Sequence, residues 1–191
     1  MNRSVYRRPD KPTRLSVTKR ERIGVTRSEP PEPVIMDKST ECHVTPPDIA
    51  RRMVEILAPS PDSDIIEPSA GTGALCDALV EYGHPLEMIC AIEKDAELAR
   101  RLLSRFPRAW HADFLTDFVC RLPYDCALMN PPFKKARQHI EKALECAGKV
   151  VALVPVTFED RGMIEHNHYG PDTFSLARVS TKIITIYSED G

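Results

Sequence analysis

The chain has 191 residues, 42% hydrophobic and 28% charged, with a net charge of −2. That length suits one domain with a real core, and no apolar run approaches the roughly 18 residues that a bilayer-spanning helix needs. Its six cysteines show no C-x-x-C spacing and its N-terminus lacks an apolar signal segment, which argues against a zinc site and for buried thiols in a reducing, cytoplasmic setting.

Residues 1–36 read as a separate region. Between Met1 and Pro30 stand nine basic residues against three acidic ones, few large apolar residues and no periodicity. The segment then runs into Pro30-Pro31-Glu32-Pro33. This predicts a disordered, basic arm on a stiff proline-rich linker, suited to holding nucleic-acid phosphate or simply to solubility. Residues 37–191 read as the folded domain.

Within the domain, short apolar runs alternate with amphipathic segments, the pattern of βα units around a parallel sheet. Pro46-Pro47-Asp48 opens a predicted helix through Leu57, with Ile49, Met53, Ile56 and Leu57 on one face. Asp64 to Glu67 is a short buried strand, followed by a glycine loop and a helix from Ala74 to Tyr82 that Gly83 stops. Met88 to Ile92 is the second strand, and Asp95 caps a helix over Ala96 to Phe106. A third strand is expected near Ala109 to Ala112, and a fourth over Tyr124 to Met129. The next helix covers Ala136 to Ala147 with Gly148 as its stop, before an unbroken apolar strand from Lys149 to Val154. Phe174 to Val179 and Lys182 to Tyr187 are expected to close the sheet as a hairpin, while His166-Asn167-His168 reads as a solvated loop and not as metal ligands.

Glu67, Glu93, Asp113 and Asn130 all fall at the carboxyl ends of successive predicted strands, where open α/β sheets bind ligands. Gly71-Thr72-Gly73 could open a dinucleotide fingerprint with Glu93 on a ribose, but Cys76 stands where the third glycine belongs. A carboxylate at Glu67 would repel a pyrophosphate. It suits the sulfonium and ammonium cations of S-adenosylmethionine (SAM), and the glycines let backbone approach the ligand closely.

Five stretches now stand in one order: Thr45-Pro46-Pro47, Glu67 to Gly73, Ala91 to Asp95, Ala112-Asp113-Phe114 and Asn130-Pro131-Pro132-Phe133. In that order the chain resembles the class I SAM-dependent methyltransferases, specifically the adenine-N6 DNA enzymes of restriction–modification systems with an NPPF motif. The resemblance runs from about Glu41 to Val156. It implies a Rossmann-like α/β fold: a mostly parallel seven-stranded sheet with helices on both faces. It implies SAM as cofactor, with Thr45 at the methionine end, Glu67, Ala70, Gly71 and Gly73 around the amino-acid part, Glu93 on the ribose, Asp113 on the adenine amine and Phe114 on the adenine face. Asn130, Pro131, Pro132 and Phe133 become the catalytic set, and the reaction is methyl transfer to an exocyclic amine.

The chemistry of that tetrapeptide follows from a weak nucleophile. An aminopurine nitrogen delocalises its lone pair into the ring. Acceptors on its hydrogens, the Asn130 side-chain oxygen and the Pro131 carbonyl, favour tetrahedral nitrogen and the positive charge that develops. Phe133 offers a flat face to a base turned out of its stack. Restriction-type relatives carry a separate recognition region, and only about 35 residues follow the fifth strand here. The expected partners are therefore nucleic acid, DNA ahead of RNA, and a protein that supplies specificity; no membrane is implied. RNA adenine, a protein glutamine amide, and a silent partner subunit of the same fold remain open as alternatives.

Overall fold

The computed structural model describes residues 44–173 and 178–189, so the basic arm expected over residues 1–36 lies outside the described residues. In chain order the elements are α1 (Pro47–Leu57), β1 (Ile65–Glu67), α2 (Ala74–Tyr82), β2 (Ile89–Glu93), α3 (Ala96–Leu103), β3 (Arg108–His111), β4 (Tyr124–Met129), α4 (Ala136–Cys146), β5 (Ala147–Pro155), β6 (Ile164–Tyr169) and β7 (Thr181–Tyr187).

Local sequence explains most of these boundaries. Pro47 sits at the start of α1, where its missing N–H costs nothing, and Ile49, Ala50, Met53, Val54 and Leu57 form the buried stripe. Gly73 (φ 88°) and Gly83 (φ 99°) flank α2 in the left-handed region, and the Gly83 N–H returns to Leu79 O and Val80 O. Asp95 caps α3, its Oδ1 accepting from Glu97 N and Leu98 N at 3.0 Å each.

The seven strands form one sheet in the order β3-β2-β1-β4-β5-β7-β6. β3, β2, β1, β4 and β5 pair in parallel, whereas β7 is antiparallel to both β5 and β6. The mostly parallel seven-stranded sheet is thus as expected, with one antiparallel strand inserted. Side chains alternate between two cores, as the two-residue period of a strand requires. Ile65, Leu128, Val151 and Ile183 face the layer with α1 and α2, while Ile66, Ala127, Val150 and Ile184 face α4 and Phe114. Chain order reverses between β1 and β4, which opens a crevice at the carboxyl ends of these strands.

The structure corrects three expectations. Helix α3 ends at Leu103, not Phe106; the residues before Pro107 leave the helix because the proline ring crowds a preceding helical residue. Gly148 is not a helix stop, because β5 starts at Ala147, which already pairs with Tyr124. The closing hairpin is formed differently. Thr181–Tyr187 is a strand as predicted, but its hairpin partner is Ile164–Tyr169, so His166-Asn167-His168 is strand, not loop. Residues 174–177 lie outside the described residues. β6 is an edge strand exposed along most of its length, so no apolar alternation marks it in the sequence.

Candidate active site

The crevice at the switch point encloses a cavity of about 650 Å³. Its walls come from the segment before α1, the β1–α2 loop, the ends of β2 and β3, the turn after β3, and the start of α4.

The β1–α2 loop is shaped by its two glycines and by one carboxylate. Gly71 (φ 55°) and Gly73 (φ 88°) take backbone conformations that a side chain disfavours. Ala70 N donates to Ile92 O at 2.9 Å and Gly73 N to Ala70 O at 2.7 Å. Glu93, at the end of β2, ties the loop to its neighbour: its Oε2 accepts from Gly71 N and its Oε1 from Asp95 N, both at 2.7 Å. Glu93 therefore has a fixed orientation at the cavity wall while remaining buried. Gly73 does not line the cavity. It faces α3, where an added Cβ would stand 2.9 Å from Leu102 Cδ2. Its glycine serves helix packing.

Glu67 lies at the end of β1, fully buried, and lines the cavity beneath the loop. The Cys76 thiol donates to its Oε2 at 2.7 Å. Burial pushes the Glu67 carboxyl up to about 8; the bond from Cys76 opposes this and the nearby Glu93 adds to it. Cys76 in turn is pushed up by its own burial and then by Glu67. A buried carboxyl at a cavity wall is ready to receive a cation, which would restore its charge.

Across the cavity, the turn after β3 carries Asp113 and Phe114. Asp113 Oδ1 accepts from Leu115 N at 2.8 Å, and Asp113 N donates to Asp117 Oδ2 at 3.2 Å. The Phe114 ring is buried, with its centroid 6.0 Å from the rings of both His139 and Phe118. His139 was not anticipated. It lines the cavity from α4, donates from Nδ1 to Lys135 O at 3.0 Å, and burial lowers its basicity so that the neutral ring is favoured. A histidine inside the otherwise apolar stripe Ala136, Ile140, Ala143 was the signal in the sequence. Ser69 was missed as well: it lines the cavity, and its buried Oγ has no hydrogen-bond partner among the described residues.

Thr45 and Asn130 are 85 positions apart and meet here. Asn130 Nδ2 donates to Thr45 Oγ1 at 3.0 Å, and both residues line the cavity. Thr45 is buried. The bond ties the Asn130 side chain, at the end of β4, to the segment before α1. Pro132 also lines the cavity, whereas Pro131 is buried behind it. Phe133 begins a 3₁₀ turn over Phe133–Lys135 and is half-buried, packed against the core on the α1–α2 side and not in the cavity wall. Of the twelve sequence-predicted residues, the structure brings nine to the cavity; Gly73, Pro131 and Phe133 stand just outside it.

These walls fit SAM: a buried carboxyl and a hydroxyl at the loop, an oriented carboxylate at the end of β2, and an aromatic ring beside an aspartate. Among the described residues no cluster of three or more His, Cys, Asp or Glu could hold a metal ion, and no helix is long and apolar enough to cross a membrane.

No family model matches the sequence. A protein-L-isoaspartate O-methyltransferase from Aliivibrio salmonicida (strain LFI1238) is 22% identical over 151 residues, 77% of this chain and 72% of that protein. Among solved structures, the 23S rRNA methyltransferase ErmE superposes with a TM-score of 0.64 at 18% identity, over 78% of this chain and 70% of that one. A dimethyladenosine transferase from Plasmodium falciparum gives 0.62 at 13% identity, over 78% and 64%. A modification subunit assigned to a type I restriction enzyme from Vibrio vulnificus YJ016 gives 0.61 at 16%, over 77% of this chain but 44% of the subunit. At these identities the likeness establishes architecture. With its 3-2-1-4-5-7-6 sheet and its cavity at the switch point, the chain has the Rossmann-like fold of the class I methyltransferases, whose cofactor is SAM.

Proposed function

We infer that the protein is a SAM-dependent N-methyltransferase acting on an exocyclic amine, the N6 of adenine in nucleic acid. The observation that carries this reading is the Asn130–Thr45 bond. It holds the catalytic carboxamide at the wall of a cavity whose other walls suit SAM. The adenine acceptor draws support from the name of one structural neighbour, a dimethyladenosine transferase, and the nucleic-acid acceptor from another, an rRNA methyltransferase. DNA is kept as the first acceptor because the motif order resembles the restriction–modification enzymes, one of whose modification subunits is also a neighbour.

In this reading SAM, when bound, supplies an electrophilic methyl group on a sulfonium. The rest is the work of this chain. Glu67 receives the ligand's ammonium, Glu93 the ribose hydroxyls, Asp113 the purine amine, and Phe114 the purine face. The resemblance gives Asn130 and the Pro131 carbonyl, the latter just outside the cavity wall, the task of accepting the two hydrogens of the acceptor amine. They draw its nitrogen towards tetrahedral geometry and offset its developing charge. Thr45 tethers the carboxamide to the segment before α1 at the cavity wall. No strong base is required, since the nitrogen becomes acidic once it carries positive charge. Phe133, half-buried outside the cavity, would meet the acceptor base and not the cofactor.

The test is single-turnover transfer from labelled SAM to adenine-containing DNA and RNA oligonucleotides, with cofactor affinity measured separately. Asn130→Ala should slow transfer by about 10²–10³ while S-adenosylhomocysteine affinity is nearly unchanged, by analogy with loss of one preorganised donor. An Asn130→Ala protein as fast as the parent would show that the tetrapeptide is only a turn. No transfer by the parent to either nucleic acid, with cofactor still bound, would favour a silent partner subunit or a glutamine-amide acceptor.

A further inference from the structure

The segment between β3 and β4, residues 112–123, contains no regular helix or strand, yet it supplies the cavity wall that carries Asp113 and Phe114. What holds it is one helix-like turn. Asp117 N and Phe118 N both donate to Asp113 O, at 2.9 and 3.2 Å, and Leu115 N donates to Asp113 Oδ1 at 2.8 Å. Such a turn leaves carbonyls at its far end that no further helical turn can satisfy.

Lys142, from the middle of α4, reaches those carbonyls. Its Nζ donates to Phe118 O at 2.8 Å and to Leu115 O at 3.2 Å, and lies 5.1 Å from the centre of the Phe114 ring. One ammonium therefore ends the turn and sits over the ring that the turn presents. His139, one helical turn earlier on α4, stacks on the same ring. Lys142 is not among the residues lining the cavity, so it would not touch a ligand there.

We propose that Lys142 is a positioning residue: by clamping the Asp113–Phe118 turn to α4 it sets how strongly, and how selectively, the cavity holds a purine bearing an exocyclic amine. This rests on the reading that the cavity binds SAM. A lysine that merely stabilised the fold would affect all ligands of the cavity alike. A lysine that holds Asp113 and Phe114 in place should affect most the ligand whose amine Asp113 accepts.

The experiment uses the full chain and two ligands by calorimetry. One is S-adenosylhomocysteine and the other is its hypoxanthine counterpart, in which an oxo group replaces the purine amine. Lys142→Met keeps the length and packing of the stem but removes the donors. It is expected to weaken S-adenosylhomocysteine about tenfold, to weaken the hypoxanthine ligand much less, and so to shrink the ratio of the two affinities. Lys142→Arg, which restores cationic donors, is expected to recover most of that ratio. If Lys142→Met lowers the melting temperature but leaves the ratio at the parent's value, Lys142 is only structural and the proposal is overturned. Should Lys142→Met fail to fold, Lys142→Leu, which likewise has no donor, replaces it: a ratio equal to that of Lys142→Arg overturns the proposal, and a smaller one supports it. A parent protein that binds neither ligand sinks the SAM reading itself, a result distinct from any of these.

Discussion

If Glu67 receives the ligand's ammonium, as proposed, ligand binding reports on a buried proton. Its carboxyl is raised from an ordinary value of 4.5 to about 8, chiefly by burial. Below about pH 8 the unliganded protein therefore carries Glu67 mostly protonated, and the ionised fraction falls about tenfold with each pH unit. An ammonium placed against Glu67 needs the ionised form. Affinity for S-adenosylhomocysteine should rise about tenfold per unit between pH 6 and 7.5, with about one proton released on binding. Stability of the unliganded protein runs the other way. The folded-state value lies above the unfolded one, so the contribution of this proton is fully present below about 4.5 and is lost as pH rises through about 8, at roughly 1.4 kcal/mol per unit. The melting-temperature increase produced by ligand should therefore widen with pH across that window. Titration calorimetry in buffers of different ionisation enthalpy counts the proton directly, and Glu67→Gln serves as the control, with no release and a flat pH profile. A parent protein that binds with no proton exchanged at pH 6.5 would refute the argument, because Glu67 would then be ionised before binding or remote from the cation.

Two further outcomes are expected. Gly73→Ala places a Cβ at φ 88° and 2.9 Å from Leu102 Cδ2, so it should cost about 1–3 kcal/mol in denaturant unfolding; an unchanged midpoint would mean that α3 yields freely there. Removing the residues before Asp37 should leave cofactor binding intact and flatten the salt dependence of DNA and RNA binding, since nine basic residues are lost; equal salt slopes would reduce the arm to a tail.

Most of the fold was legible because its elements are punctuated locally. Pro47, Asp95 and Gly83 mark helix ends through their own local chemistry, and two-sided burial shows as apolar runs at Ile65-Ile66, Ile89 to Ile92, Cys126 to Met129 and Val150 to Val154. β6 was not legible. Its pairing with β7 is a long-range hydrogen-bonded contact that makes no demand on the side chains of an exposed edge.

The site divides along the same line. The acidic residues at the ends of β1 and β2 and after β3, and Asn130 at the end of β4, could be placed from sequence because a strand's end is a local property and parallel strands bring all their ends to one side. Which partners those residues take was decided only by tertiary structure. The sequence contains Thr45 and Asn130 without their bond, and Glu67 and Cys76 without the desolvation that couples them. It contains Gly73 without the Leu102 contact that makes glycine necessary, and Phe133 without the core that takes its ring. Lys142 reads as an ordinary helix lysine until the turn it clamps is folded beside it. The physical reason is common to all five. A side chain's chemistry is inscribed residue by residue, but its burial and its partners depend on segments tens of residues away, and those meet only once the sheet has closed.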